Sequence, residues 1–128
     1  MTRTHRLLLD THCFLWWKTE DARLNEAARQ AIAEADVVFV SAASAWEVAI
    51  KARLGRIRMD VDFASGVSDS GFQKLLILFE HAAETQNLPE HHRDAFDRML
   101  VAQARIEDLT LVTHDRQLEP YEVNLIWT

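Results

Sequence analysis

Three consecutive leucines, Leu7-Leu8-Leu9, run directly into a carboxylate, Asp10, and then into Thr11-His12. A run of branched apolar residues with no alternation is what a strand buried on both faces requires, and such strands belong to parallel sheets covered by helices. Similar runs recur at Val37-Val38-Phe39-Val40, Lys74-Leu75-Leu76-Ile77-Leu78, Leu109-Thr110-Leu111-Val112-Thr113 and Val123-Asn124-Leu125-Ile126-Trp127. Helical stretches fall between them. Phe14-Leu15-Trp16-Trp17 forms an apolar turn, and Asn25 is placed to cap a helix that starts at Glu26. Ser41 is placed to cap a helix from Ala42 to Leu54, which Gly55 closes as a C′ glycine. Val61 to Val67 and Glu80 to Gln86 read as short helices, and Asp94 to Glu107 as a long one. Strands alternating with helices predict an α/β fold, a three-layer α/β/α sandwich with a central parallel sheet of about five strands.

A chain of 128 residues is long enough for a hydrophobic core without staples, and it reads as a single domain over 1–128. Cys13 is the only cysteine, which excludes an internal disulfide and a thiolate zinc site. No apolar run approaches membrane-spanning length. The N-terminal apolar run is short, has no small-residue cleavage site and meets Asp10, so it does not read as a signal peptide. The expected location is the cytoplasm, with no membrane partner.

In open parallel sheets the site lies beyond the carboxyl ends of the strands. Asp10 stands just past the first strand, and Asp115 just past the fourth, after Thr113 and His114. Each of the acids near this edge has an ordinary reading. Asp10 is placed to cap the following helical turn, Asp94 to cap the long helix, and Asp97 to favour its dipole. Asp115 is placed to begin a turn with Arg116. Ser44, Glu47 and Lys51 share one helix face, where Glu47 and Lys51 read as a solvent-exposed i, i+4 pair, while Ala43, Trp46 and Ile50 form the packing face. Together, at one edge of one sheet, these acids repel each other unless a cation neutralises them. Oxygen donors without cysteine suit Mg²⁺ or Mn²⁺, ions that serve phosphoryl chemistry by activating water and offsetting charge. The formal net charge of −6, awkward for simple electrostatic binding of nucleic acid, then fits an acidic protein acting on an acidic polymer.

The motifs Leu8-Leu9-Asp10-Thr11-His12, Ser44-Ala45-Trp46-Glu47-Val48-Ala49-Ile50-Lys51, His92-Arg93-Asp94-Ala95-Phe96-Asp97-Arg98-Met99-Leu100-Val101-Ala102-Gln103-Ala104 and Leu111-Val112-Thr113-His114-Asp115 follow one another along nearly the whole chain. In these the chain resembles PIN-domain ribonucleases of the VapC toxin type. The resemblance implies a divalent-metal-dependent endoribonuclease that hydrolyses RNA phosphodiester bonds. It also implies a homodimer, held inactive by a cognate antitoxin. Asp10, Glu47, Asp97 and Asp115 match the family's acidic quartet, Asp94 a further acid, ligand or cap, and Thr113 a hydroxyl residue that supports a ligand carboxylate. Ala95 stands where this branch usually has proline, and Cys13 where a small apolar residue is common.

Lys51, Arg93, Arg98 and Arg116 adjoin the acid motifs and are the candidates for RNA contact, equally readable as partners of those acids. Arg53, Arg56 and Arg58 form a second basic group, which reads as a solvated face by default. His12 and His114 flank the acids and are positioned to touch phosphate or orient neighbours. The four tryptophans read mostly as core, with one of Trp16 and Trp17 turned to a protein partner. An alternative function is a catalytically silent interaction module of the same fold. A receiver-like phosphoryl-transfer domain is weaker, since His12 rather than an acid follows two residues after Asp10.

Overall fold

In a computed structural model describing residues 5–58 and 62–128, the branched apolar runs form strands β1 (Arg6–Leu9), β2 (Val37–Ser41), β3 (Gln73–Leu75), β4 (Thr110–Thr113) and β5 (Leu125–Trp127). They make one parallel sheet in the order β3-β2-β1-β4-β5. Alternate residues face opposite layers, as a pleated strand dictates. Leu7, Leu9, Val38, Val40 and Val112 face helices α1 (Thr11–Thr19), α2 (Glu26–Glu34) and α4 (Phe63–Asp69), whose Phe14, Ala28, Ile32 and Val67 complete that core. Leu8 and Leu111 face α6 (Ala95–Glu107), whose Leu100, Val101 and Ala104 fill the second core. Helices α3 (Ala42–Arg53) and α5 (Phe79–Thr85) complete the elements. The sandwich of the expected class is thereby formed around a five-stranded parallel sheet.

The order of the strands locates the site. The chain leaves β1 for β2 and β3 on one side, then returns to place β4 and β5 on the other. The carboxyl ends of β1 and β4 therefore meet at the point where the strand order reverses, the crevice where open α/β sheets bind ligands. Asp10 extends this seam by one bond, its amide donating to the Val112 carbonyl at 3.0 Å.

Local chemistry sets most helix ends. Asn25 caps α2 by accepting from the Ala28 amide, and Gly55 follows the end of α3 at φ +73°, a left-handed conformation that glycine adopts without strain. Two expectations are corrected. The third strand stops at Leu75, leaving Leu76, Ile77 and Leu78 exposed. Its partner β2 ends at Ser41, which pairs with Leu75 and also caps α3, so nothing remains for residues 76–78 to pair with. The apolar residues of α3 are also turned the other way. Trp46 is 61% exposed, and Ile50 and Leu54 are exposed too, while Ala43, Ser44, Glu47 and Val48 are buried. Small side chains let α3 approach its neighbours closely, and the bulky ones are left outside. The short helix after β2's crossover runs over Phe63–Asp69, and Val61, where it was expected to start, lies outside the described residues. Among the described residues no helix is long and apolar enough to cross a membrane.

Candidate functional site

Asp10, Glu47, Asp94, Asp97 and Asp115 line a single cavity of about 210 Å³, together with Lys51, His92 and His114. Three of these acids also cap, and their two oxygens divide the work. Asp10 Oδ1 accepts from the Cys13 amide at 2.7 Å, starting α1. Asp94 Oδ1 accepts from the amides of Phe96 and Asp97 at 2.8 and 3.2 Å, starting α6. Asp115 Oδ1 accepts from the Gln117 amide at 3.0 Å, starting a single 3-10 turn over Arg116–Leu118. A carboxylate has lone pairs to spare on its second oxygen. Asp10 Oδ2 accepts the Thr113 hydroxyl at 2.6 Å, and Asp115 Oδ2 lies 2.8 Å from His92 Nε2. Thr113 Oγ1 accepts in turn from the Asp115 amide at 3.0 Å. One buried hydroxyl thus ties the acid after β1 to the acid after β4.

Glu47 enters from the buried stripe of α3. The Thr11 hydroxyl bridges Glu47 Oε1 and Ser44 Oγ at 2.7 and 2.9 Å, and Lys51 Nζ donates to Glu47 Oε2 at 2.6 Å. The glutamate side chain is only 7% exposed and the lysine 29%. The expected surface pair is therefore a largely buried one at the cavity wall, because α3 turns this face inward.

Asp97 enters from the first turn of α6, and the loop before that helix supplies the ring that meets it. His92 Nε2 lies 3.0 Å from Asp97 Oδ2 as well as 2.8 Å from Asp115 Oδ2. Sequence reading passed over His92, since it precedes the helix and adjoins His91; its place two residues before a capping aspartate was the available signal. Arg98 is corrected from an RNA contact to a clamp. Its guanidinium donates to the carbonyls of Thr85, Leu88 and Pro89 and to Tyr121 Oη, and reaches the His92 carbonyl at 3.5 Å. Five N–H donors in a rigid fork suit this gripping of a loop. Lys51 is engaged by Glu47, Arg116 lies over the Trp127 ring at 4.1 Å, and Arg93 is exposed just before α6.

The electrostatics are uneven. Burial pushes the Asp10 carboxyl up, but His114 at 3.6 Å, the Thr113 hydroxyl and the Cys13 amide outweigh it and hold the group below its ordinary value. Burial, followed by the charges of Asp94 and Asp10, pushes Asp97 up to about 7. The neighbouring Asp10 carboxylate raises His114, whereas burial lowers His12. His114 packs edge-on against Trp16 at 4.8 Å and His12 at 5.2 Å. Trp16 is buried and Trp17 packs on Phe72, so the tryptophan turned outward is Trp46, which meets Phe96 edge-on at 5.2 Å. Cys13 is fully buried, and that burial raises its thiol well above the ordinary range, an inert environment.

Comparison with known proteins covers most of the chain. The family model described as PIN domain matches residues 7–123. The chain is 35% identical over 118 residues to Ribonuclease VapC22 of Mycobacterium tuberculosis (strain ATCC 25618 / H37Rv), covering 90% of this chain and 91% of that protein. Among solved structures, VapBC2 from Rickettsia felis bound to a promoter DNA fragment superposes with a TM-score of 0.71 at 11% identity, over 96% of this chain and 98% of that one. A toxin–antitoxin complex from Klebsiella pneumoniae superposes at 0.65 and 17% identity, over 94% and 95%. At such identities the two structures establish the likeness of fold alone.

Proposed function

This chain belongs to the PIN-domain family, and on that premise we propose that it is a divalent-metal-dependent endoribonuclease of the VapC kind, the toxin of a toxin–antitoxin pair working in the cytoplasm. The observation that carries the reading is the meeting of five carboxylates in one cavity at the strand-order reversal. The 35% identity to a protein named ribonuclease supports the reaction class.

The residues present fit Mg²⁺ or Mn²⁺. The donors are carboxylate oxygens, the cavity has no thiolate, and burial together with the charges of Asp94 and Asp10 raises Asp97 to about 7, a cost that a bound cation relieves. Asp10, Asp97 and Asp115 would hold the ion, with Glu47 and Asp94 beside them. Bound there, it activates water and offsets charge on the phosphate oxygens. The chain's own groups prepare the site. Thr113 aligns Asp10 with Asp115, while Ser44 and Thr11 support Glu47, which Lys51 neutralises. Arg93 and Arg116 are the cations left for the RNA backbone, since Arg98 is consumed by its loop. The apolar residues α3 turns outward, Trp46, Ile50 and Leu54, supply surface for protein contact, in keeping with an antitoxin and a homodimer.

The test is cleavage of RNA by the purified chain freed of antitoxin. Mg²⁺ should support cleavage, EDTA should abolish it, and Asp10→Asn, which keeps shape but loses charge, should abolish it while the protein stays folded. Cleavage by Asp10→Asn at the wild-type rate would overturn the assignment of Asp10.

A further inference from the structure

His92 places a single side-chain atom within 3.0 Å of carboxylate oxygens of two candidate ligands. Its Nε2 lies 2.8 Å from Asp115 Oδ2 and 3.0 Å from Asp97 Oδ2, and its side chain is 12% exposed. The opposite nitrogen, Nδ1, lies 3.1 Å from the Asp94 amide, which can only donate. Nδ1 is therefore the acceptor, and the proton of the neutral ring sits on Nε2, facing the carboxylates. In this tautomer Nε2 has no lone pair to give a cation, so the ring is a hydrogen-bond donor to Asp115, with Asp97 Oδ2 in close polar contact, rather than a ligand itself.

The backbone around His92 is anchored from three sides. The His92 amide donates to Tyr121 Oη at 3.0 Å, and Tyr121 is buried beneath the loop. Arg98 donates to the same phenol oxygen at 3.2 Å and to the carbonyls of Thr85, Leu88 and Pro89. The Asp94 amide holds the ring, and the Asp94 carboxylate is itself held by the start of α6. A loop so fixed can aim a side chain. What it aims at are two carboxylates from different elements, one on α6 and one after β4, whose oxygens lie with His92 Nε2 within 4.8 Å of one another.

We propose that His92 is a positioning residue of the metal centre: its Nε2–H draws Asp97 and Asp115 together and orients their oxygens for one divalent cation, while Arg98 and Tyr121 hold the loop that presents it. The inference rests on Asp97 and Asp115 being ligands, as the proposed function has them. Donors behind metal-binding groups act by fixing ligand geometry, and their loss weakens metal affinity by roughly 10–100-fold.

The experiment is titration of the full chain with Mn²⁺ by calorimetry, on wild type, His92→Ala, His92→Gln and Tyr121→Phe, with circular dichroism to verify folding. His92→Ala should weaken Mn²⁺ binding by about 10–100-fold. His92→Gln, whose amide nitrogen reaches the same two oxygens, should recover most of the loss, which a merely structural role would not predict. Tyr121→Phe, which keeps the buried ring and frees the loop, should weaken binding less than His92→Ala, and it carries the test if His92→Ala does not fold. Unchanged Mn²⁺ affinity in the folded His92→Ala and Tyr121→Phe proteins would overturn the proposal. Tighter binding by His92→Ala would overturn it too, making the ring a competitor of the cation. The Mn²⁺ pattern expected here would support it even if wild type cut no RNA, a result that would overturn only the nuclease reading.

Discussion

Glu47 and Asp97 reach the same cavity from two helices, α3 and α6, and they are compensated in opposite ways. Glu47 has a lysine one turn further along its own helix at 2.6 Å and a threonine hydroxyl at 2.7 Å. Asp97 has Asp94 three residues before it, Asp10 and Asp115 across the cavity, and only the His92 ring between. One acid brings its counter-charge with it, and the other is left among like charges. The difference teaches where negative charge in the cavity is left uncompensated: on the α6 side, between β1 and β4, rather than at α3.

Replacing the uncompensated side of this comparison should have the largest effect. Asp97→Asn is expected to reduce RNA cleavage in Mg²⁺ by on the order of 100-fold or more, and in EDTA at neutral pH to raise the melting temperature, because one of the repelling charges is gone. A variant that lost activity but melted lower in EDTA would show that Asp97 is compensated after all, and the contrast with Glu47 would fail.

The pH dependence follows from the same residue. Asp97 holds its proton up to about 7 in the folded chain, against an ordinary value of 3.8. The folded state therefore binds more protons than the unfolded one between those values, and stability must fall as pH rises through that window. Thermal melts in EDTA from pH 4 to 7.5 should show this decline in wild type and a shallower one in Asp97→Asn. Equal slopes would remove Asp97 as the cause.

The smaller effect belongs to α3. Lys51→Met strips Glu47 of its counter-charge, and urea unfolding should show a loss of about 1–2 kcal/mol, less than the roughly 3–5 kcal/mol of a fully buried pair because part of Lys51 remains in water. No loss would mean that Thr11 and Ser44 suffice for Glu47.

Much of this was legible in the residues. Leu7-Leu8-Leu9, Val37-Val38-Phe39-Val40 and the run ending at Thr113 are strands of mostly apolar residues, and Asp10 and Asp115, which follow the first and the last of them, had to fall at one edge. The capping and ligand readings of Asp10, Asp94 and Asp115 looked like rivals in the sequence. They are compatible because a carboxylate has two oxygens, and only Oδ1 of each accepts from a helix amide. Residue spacing cannot show that division.

The linear pattern misled where bulk was taken for burial. On α3 the large apolar residues Trp46 and Ile50 face outward, while Ala43, Ser44, Glu47 and Val48 face in. Leu76-Ile77-Leu78 likewise has strand composition without a strand to pair with.

Composition and order alone determined the parallel sheet, the edge at which the site lies and the acids that line it, because burial on two faces and the capping of helix ends are local demands written in consecutive residues. Only the tertiary structure decided which basic groups serve the site. Arg98 clamps a loop, Lys51 neutralises Glu47 and His92 bridges Asp97 to Asp115, since each depends on partners brought from distant segments by the packing of α6 and β4.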